Sequence, residues 1–168
     1  MNLIINDKLP MFITGYPTVS DKYNVSGAIL TGNAPAKFGE LVKFSGTKGY
    51  YEAITGAVTL KDIAGFVLAT NVKVAEDFPG TKVQVNPGEA FNLMMSGFMA
   101  VELDSAATES EVKANSAVQV ILATGKLTTS DKNNTGTVEA LPNVVFTGLV
   151  ENHGTQEAPK LVAEIYIK

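Results

Sequence analysis

Between Lys82 and Leu103, apolar and polar residues alternate with a period of two. Val83 and Val85 come first, then Phe91, Leu93 and Met95, then Met99, Val101 and Leu103. That period marks strands with one buried face. Two interruptions punctuate it. In Asn86-Pro87-Gly88-Glu89, Pro87 pre-sets φ at the first corner and Gly88 supplies the positive φ of a type II turn. Ser96-Gly97 forms the second break. The pattern predicts three short antiparallel strands joined by two tight turns. The opposite face carries Met94, Phe98 and Ala100 beside Asn92 and Glu102, so part of it needs cover from the chain itself or from another subunit. A methionine-rich run of this kind is more often plain core, but Met also fills adaptable interfaces. Met94 and Phe98 are therefore the candidate contacts between copies.

The same pattern extends along the chain. Leu41 lies on one side of a short strand and Val42 and Phe44 on the other. Gly46 to Gly49 then closes a hairpin into Tyr50-Tyr51-Glu52-Ala53-Ile54. Ile63 to Ala69 is nearly continuous hydrophobe, as for a strand buried on both faces, and Gly65 within it signals a bulge or a close backbone approach. A short strand is expected over 71–76 and a turn at Phe78-Pro79-Gly80. Further strands are expected over 117–123, 126–129, 138–150 and 161–167, with a turn at Thr124-Gly125 and a polar tip over 130–136. In the last strand Leu161, Ala163, Ile165 and Ile167 share one face, and Glu164 and Tyr166 the other. Asp104 to Lys113 is the one stretch that a helix could occupy. Its single apolar anchor, Val112, suits a polar loop equally well.

Nine to twelve short strands at such spacing predict an all-β chain, an antiparallel barrel- or sandwich-like body. Residues 1–25 read differently. Leu3, Ile4 and Ile5, then Met11, Phe12 and Ile13, form apolar patches around Asn6-Asp7-Lys8-Leu9-Pro10, with no helical period. They predict a first strand or an extended N-terminal arm whose six apolar residues dock on a partner. Residues 26–168 then form a single β-rich domain.

Composition narrows the chemistry. The 168 residues include no Cys and no Trp, one His, and 13 basic residues that are all Lys, with a net charge of −4. Without Arg or a basic excess there is no electrostatic footprint for nucleic acid. No apolar run approaches the ~18 residues of a membrane span, and the N-terminus lacks the pattern of a signal peptide. His153 lies in a Glu-Asn-His-Gly loop with no second His or Cys to complete a zinc site. No G-x-S-x-G elbow, phosphate loop or dinucleotide fingerprint occurs. The start of a calcium loop at Asp131 fails at its twelfth position, which is Pro142 rather than Glu. The expectation is no catalytic residue, no metal and no cofactor.

Several short motifs, in their order and spacing, resemble the structural cement (decoration) proteins of tailed bacteriophage capsids. They are Phe38-Gly39-Glu40-Leu41-Val42, Gly49-Tyr50-Tyr51-Glu52, Ile63 to Leu68, and Val83 to Gly88 leading to Ser96-Gly97. Ala117 to Val120, Thr124 to Leu127 and Ala163 to Ile167 complete the set. The resemblance implies a β-rich, non-catalytic body on the outside of a phage head, made in the host cytoplasm. Its partner would be the major capsid protein, and it would often form a homotrimer at local three-fold axes. The residues also leave open a tail-tube or head-fibre component, and an extracellular carbohydrate-binding or adhesion module.

Overall fold

The computed structural model describes residues 14–18, 23–69, 84–130, 136–155 and 158–168. The strand expected over 71–76, the turn at 78–80 and the six apolar residues of the arm lie outside these. The described chain is nearly all β. Its strands are β1 (Asn24–Thr31), β2 (Ala36–Lys37), β3 (Leu41–Phe44), β4 (Tyr50–Ala53), β5 (Ile63–Leu68) and β6 (Gln84–Val85). They continue with β7 (Ala90–Glu102), β8 (Ala117–Ile121), β9 (Lys126–Thr128), β10 (Val138–Asn152) and β11 (Leu161–Ile167). The possible helix after β7 is a three-residue 3-10 turn, Glu109–Glu111, with no buried residue of its own. One apolar anchor cannot hold a longer helix against the core.

Strands β1, β4, β3, β5 and β7 are neighbours in that order, and β7 pairs again with β1, so five strands close into a barrel. The expected antiparallel body forms, with one parallel pair within the sheets, β1 with β4 through Ile29↔Tyr50 to Thr31↔Glu52. The tight β3–β4 hairpin returns β4 in the direction of β1, which leaves closure no other orientation. From the second half of β7 the sheet continues through β11, β10, β8 and β9. It curls until β9 meets the end of β7, where Leu103 bridges Leu127 and the Asp104 amide donates to the Leu127 carbonyl at 2.7 Å.

The central stretch departs from its expectation in two places. The Pro87-Gly88 turn forms as expected, with the Glu89 amide donating to the Asn86 carbonyl at 3.1 Å and Gly88 at φ 87. The strand before it, however, pairs with β2 and not with β7. Ser96-Gly97 is no turn, and the chain runs straight through it as one 13-residue strand. A bulge explains the broken alternation. Asn24 faces Ser96 while Val25 faces Met94, so Met95 has no partner across the ladder, and Gly97 follows at φ 119. Met94 and Met99 are an odd number of residues apart and would face opposite sides of an unbroken strand. Both nevertheless sit in one core cluster, because the extra residue reverses the facing of everything after it. This reversal lets a single strand serve two barrels.

The first barrel is filled by Leu30, Val42, Val67, Phe91 and Leu93. A larger cluster fills the second, with Met99, Val101, Val118, Val120, Phe146 and Ile165. Leu41, Phe66, Leu68 and Met94 contribute to it from the first barrel's outer wall. Gly65 shows why the sequence tolerates no side chain there, because a Cβ would lie 3.0 Å from the Met94 carbonyl. β10 also runs long, over 15 residues, with register shifts on either side of Val145 and Phe146.

Candidate functional site

Among the described residues no three His, Cys, Asp or Glu side chains gather as a metal site would require. His153 Nε2 lies 3.1 Å from the Glu151 carboxylate, where the end of β10 meets the β10–β11 loop. A cleft of about 370 Å³ separates the barrels, lined by Lys37, Glu40, Glu102, Asp104, Lys126 and Lys160 among others. Two pairs there are already matched, Lys160 with Glu102 at 3.0 Å and Lys126 with Asp104 at 3.6 Å. These four side chains are thus engaged with one another across the cleft.

The strongest local geometry is instead mechanical. Residues 14–18 lie across the junction of the two barrels as a strap. The Gly15 amide donates to the Ala100 carbonyl at 2.7 Å, the Ala100 amide to Tyr16 at 3.1 Å, and the Thr18 amide to Phe98 at 3.1 Å. On the other side the Ala69 amide donates to the Gly15 carbonyl at 2.8 Å. Gly15 crosses the Phe38-Gly39 corner so closely that a Cβ on it would overlap the Phe38 Cβ and lie 2.7 Å from the Gly39 nitrogen. A Cβ on Gly39 would in turn meet the Thr14 methyl at 2.7 Å. Both residues have φ of +82, so the crossing needs glycine on both strands of chain. The Tyr16 hydroxyl and Thr18 Oγ1 are buried there without a hydrogen-bond partner. That burial raises the Tyr16 phenol above its ordinary pKa.

Exposed large apolar side chains are concentrated on the first barrel. Among the described residues Phe44 is 55% exposed, Tyr23, Val25, Tyr50 and Met95 are exposed on the same barrel, and Leu149 is the one such residue on the second barrel. Phe44 stacks obliquely on Tyr51 with ring centroids 5.8 Å apart, and Tyr51 meets Phe91 edge-on at 6.2 Å. An aromatic chain thus leads from the rim into the core. Of the expected contacts between copies, Met94 is 1% exposed and packed in the core, whereas Phe98 is half-buried and stacks on Tyr166 at 4.5 Å. Sequence reasoning did not single out Met95, Phe44 or Tyr50. The signal for Met95 was the Ser-Gly break just after it, which marks a bulge as readily as a turn. The six arm residues, Leu3, Ile4, Ile5, Met11, Phe12 and Ile13, lie outside the described residues.

No curated protein sequence matches the chain. Among solved structures, a chain from "The capsid of Myoviridae Phage XM1" shares the fold, with a TM-score of 0.64 at 18% identity. That match covers 97% of this chain and 96% of the other. A family model described as "Structural cement protein (E217 gp24/Pam3 gp6)" matches residues 5–167, spanning both barrels and the strap. The chain belongs to the structural cement proteins of bacteriophage capsids.

Proposed function

We propose that this cement protein sits on the outer surface of the head and bridges neighbouring copies of the major capsid protein. The observation that carries the proposal is the concentration of exposed apolar side chains on one barrel, in a chain whose family acts on capsids. Apolar surface removed from water contributes about 25 cal/mol per Å². A rim led by Phe44 and Tyr50 adds stability to any seam that it covers. Repetition of one modest contact over a whole shell then resists internal pressure through multivalency. The role is structural and not catalytic, and no cofactor or nucleic acid takes part. The protein is made in the host cytoplasm and carried on the virion exterior.

Two finer points belong to the same proposal. Leu3, Ile4, Ile5, Met11, Phe12 and Ile13, in the arm of residues 1–25, dock on the shell or on a neighbouring subunit. Copies associate, as a homotrimer, through the face that carries Phe98 and Tyr166. The test is co-sedimentation of the purified protein with undecorated shells, followed by heating of the bare and decorated particles. The proposal expects saturable binding and a higher rupture temperature for the decorated shells. Failure to bind, or self-assembly into tubes without any shell, would overturn it and favour a tail component.

A further inference from the structure

Among the described residues, the first half of β1 is paired on one side only. Asn24 to Ile29 pair with β7, but the parallel partner β4 begins only at Ile29↔Tyr50. Among the described residues no strand lies against the other side of 24–28. Tyr23, Asn24, Val25, Ser26 and Gly27 are all exposed, so neither face of this ribbon is covered. The direction of the edge groups follows from the two residues after it. The Leu30 amide turns inward to the Glu89 carbonyl, and the Ile29 amide turns outward to the Gly49 carbonyl, each at 3.0 Å. Alternation then points the Gly27 amide and carbonyl away from β7, into the open edge.

Natural sheets guard such edges with Lys, Pro or cover. Residues 23–28, Tyr-Asn-Val-Ser-Gly-Ala, contain neither Lys nor Pro. The neighbouring bulge at Met95 leaves a further apolar side chain, 46% exposed, beside the ribbon. We propose that the Asn24–Ala28 edge of β1 accepts an extended segment of a shell subunit as an added strand, with Tyr23 and Val25 flanking it. Main-chain hydrogen bonds supply the direction, and the apolar neighbours select alternate apolar side chains on the incoming strand. A second copy fits less well. Five residues on each side fall far short of the 20–30 a side typical of a stable interface, and both copies carry −4. On a shell the same short edge need only supplement the rest of the docked body. This inference rests on the proposed binding to the head.

The test uses Gly27, where an added Cβ would meet nothing within 4 Å. Gly27→Pro removes the outward amide while leaving the β7 ladder intact, and Gly27→Ala keeps the amide. Full-length wild type and both variants are titrated against undecorated shells, with thermal unfolding measured on the unbound proteins. The expected result is a tenfold or greater loss of shell affinity for Gly27→Pro alone, with unfolding midpoints of the three proteins within a few degrees. A stable Gly27→Pro protein that binds like wild type overturns the edge and leaves shell binding intact. A Gly27→Pro variant that loses only self-association in sedimentation assigns the edge to a second copy and overturns the inference as stated. Wild type that does not bind shells overturns the proposed function together with the inference. If Gly27→Pro unfolds, amide exchange on wild type decides: protection of Gly27 on decorated shells supports the edge, and unchanged exchange refutes it.

Discussion

Substituting Gly15 by alanine tests the strap where its geometry is most demanding. Alanine at φ +82 costs about 1–2 kcal/mol for the left-handed backbone alone. The added methyl also overlaps the Phe38 Cβ and presses on the Gly39 nitrogen, neither of which is the flexible end of a side chain. Overpacking of that kind adds about 1–3 kcal/mol. The strap can escape the strain by peeling off, at the loss of its four backbone hydrogen bonds, worth about 0.5–1.5 kcal/mol each. Strain costs roughly 2–5 kcal/mol and peeling roughly 2–6 kcal/mol, so the variant loses at least about 2 kcal/mol by either route. Gly46→Ala is the matched control, since Gly46 has nearly the same φ, +88, and open space around its Cβ position. That variant loses only the backbone part, about 1–2 kcal/mol. Urea unfolding followed by circular dichroism reads both losses, and limited proteolysis separates peeling from internal strain. Near the N-terminus, cleavage becomes faster in Gly15→Ala if the strap peels. Equal stability losses in the two variants would refute the argument that the crossing, rather than the φ, is what requires glycine at position 15.

Two other substitutions probe separate parts of the fold. Met94→Ala opens a cavity in the core and loses about 2–5 kcal/mol, while Met95→Ala on the exposed bulge changes stability by less than about 0.5 kcal/mol; comparable losses in urea unfolding would place the bulge elsewhere. For Tyr16, the folded pKa is raised by burial, so the folded state keeps the phenol protonated where the unfolded chain would ionise it. Its stabilising contribution is present below the unfolded pKa near 10 and lost as pH rises through the folded value. Tyr16→Phe therefore unfolds less steeply than wild type above about pH 10, a difference that melting curves across that range measure. On the acid side, hydrogen bonds from the Thr59 amide and hydroxyl hold the Asp62 carboxyl below its ordinary pKa. That contribution is present above the unfolded pKa and fades as pH falls through the folded one, so Asp62→Asn flattens the acid limb of the stability profile.

Much of this architecture was legible in the residues. Alternation over 41–54, 117–129 and 161–167 found the strands, and the Pro87-Gly88 turn followed from φ requirements alone. Pairing did not follow, because period two fixes which face is buried and says nothing of which strand lies alongside. Hence β6 was assigned to β7 when it pairs with β2, and the parallel β1–β4 closure was not foreseen. The Ser96-Gly97 break was read as a turn because small residues serve turns and bulges alike; only the register against β1 distinguishes them. Glu164 lies with Tyr166 on the face opposite Leu161, Ala163, Ile165 and Ile167, yet it is only 7% exposed. Burial of a strand's second face depends on what packs there, which is a tertiary property. The functional surface was the least legible part. Phe44 lies on the same side of its strand as the buried Val42 yet is 55% exposed, whereas Tyr50 lies on the side opposite Tyr51 and Ala53, which pack on the core.

The central claim is that this body stabilises a head by lying over its seams. Electron microscopy of undecorated shells incubated with the purified protein tests it most directly. The account predicts discrete density on the outer surface across the junctions between shell subunits, with both barrels recognisable. Shells that remain bare at saturating protein, or density confined to the interior, would contradict it.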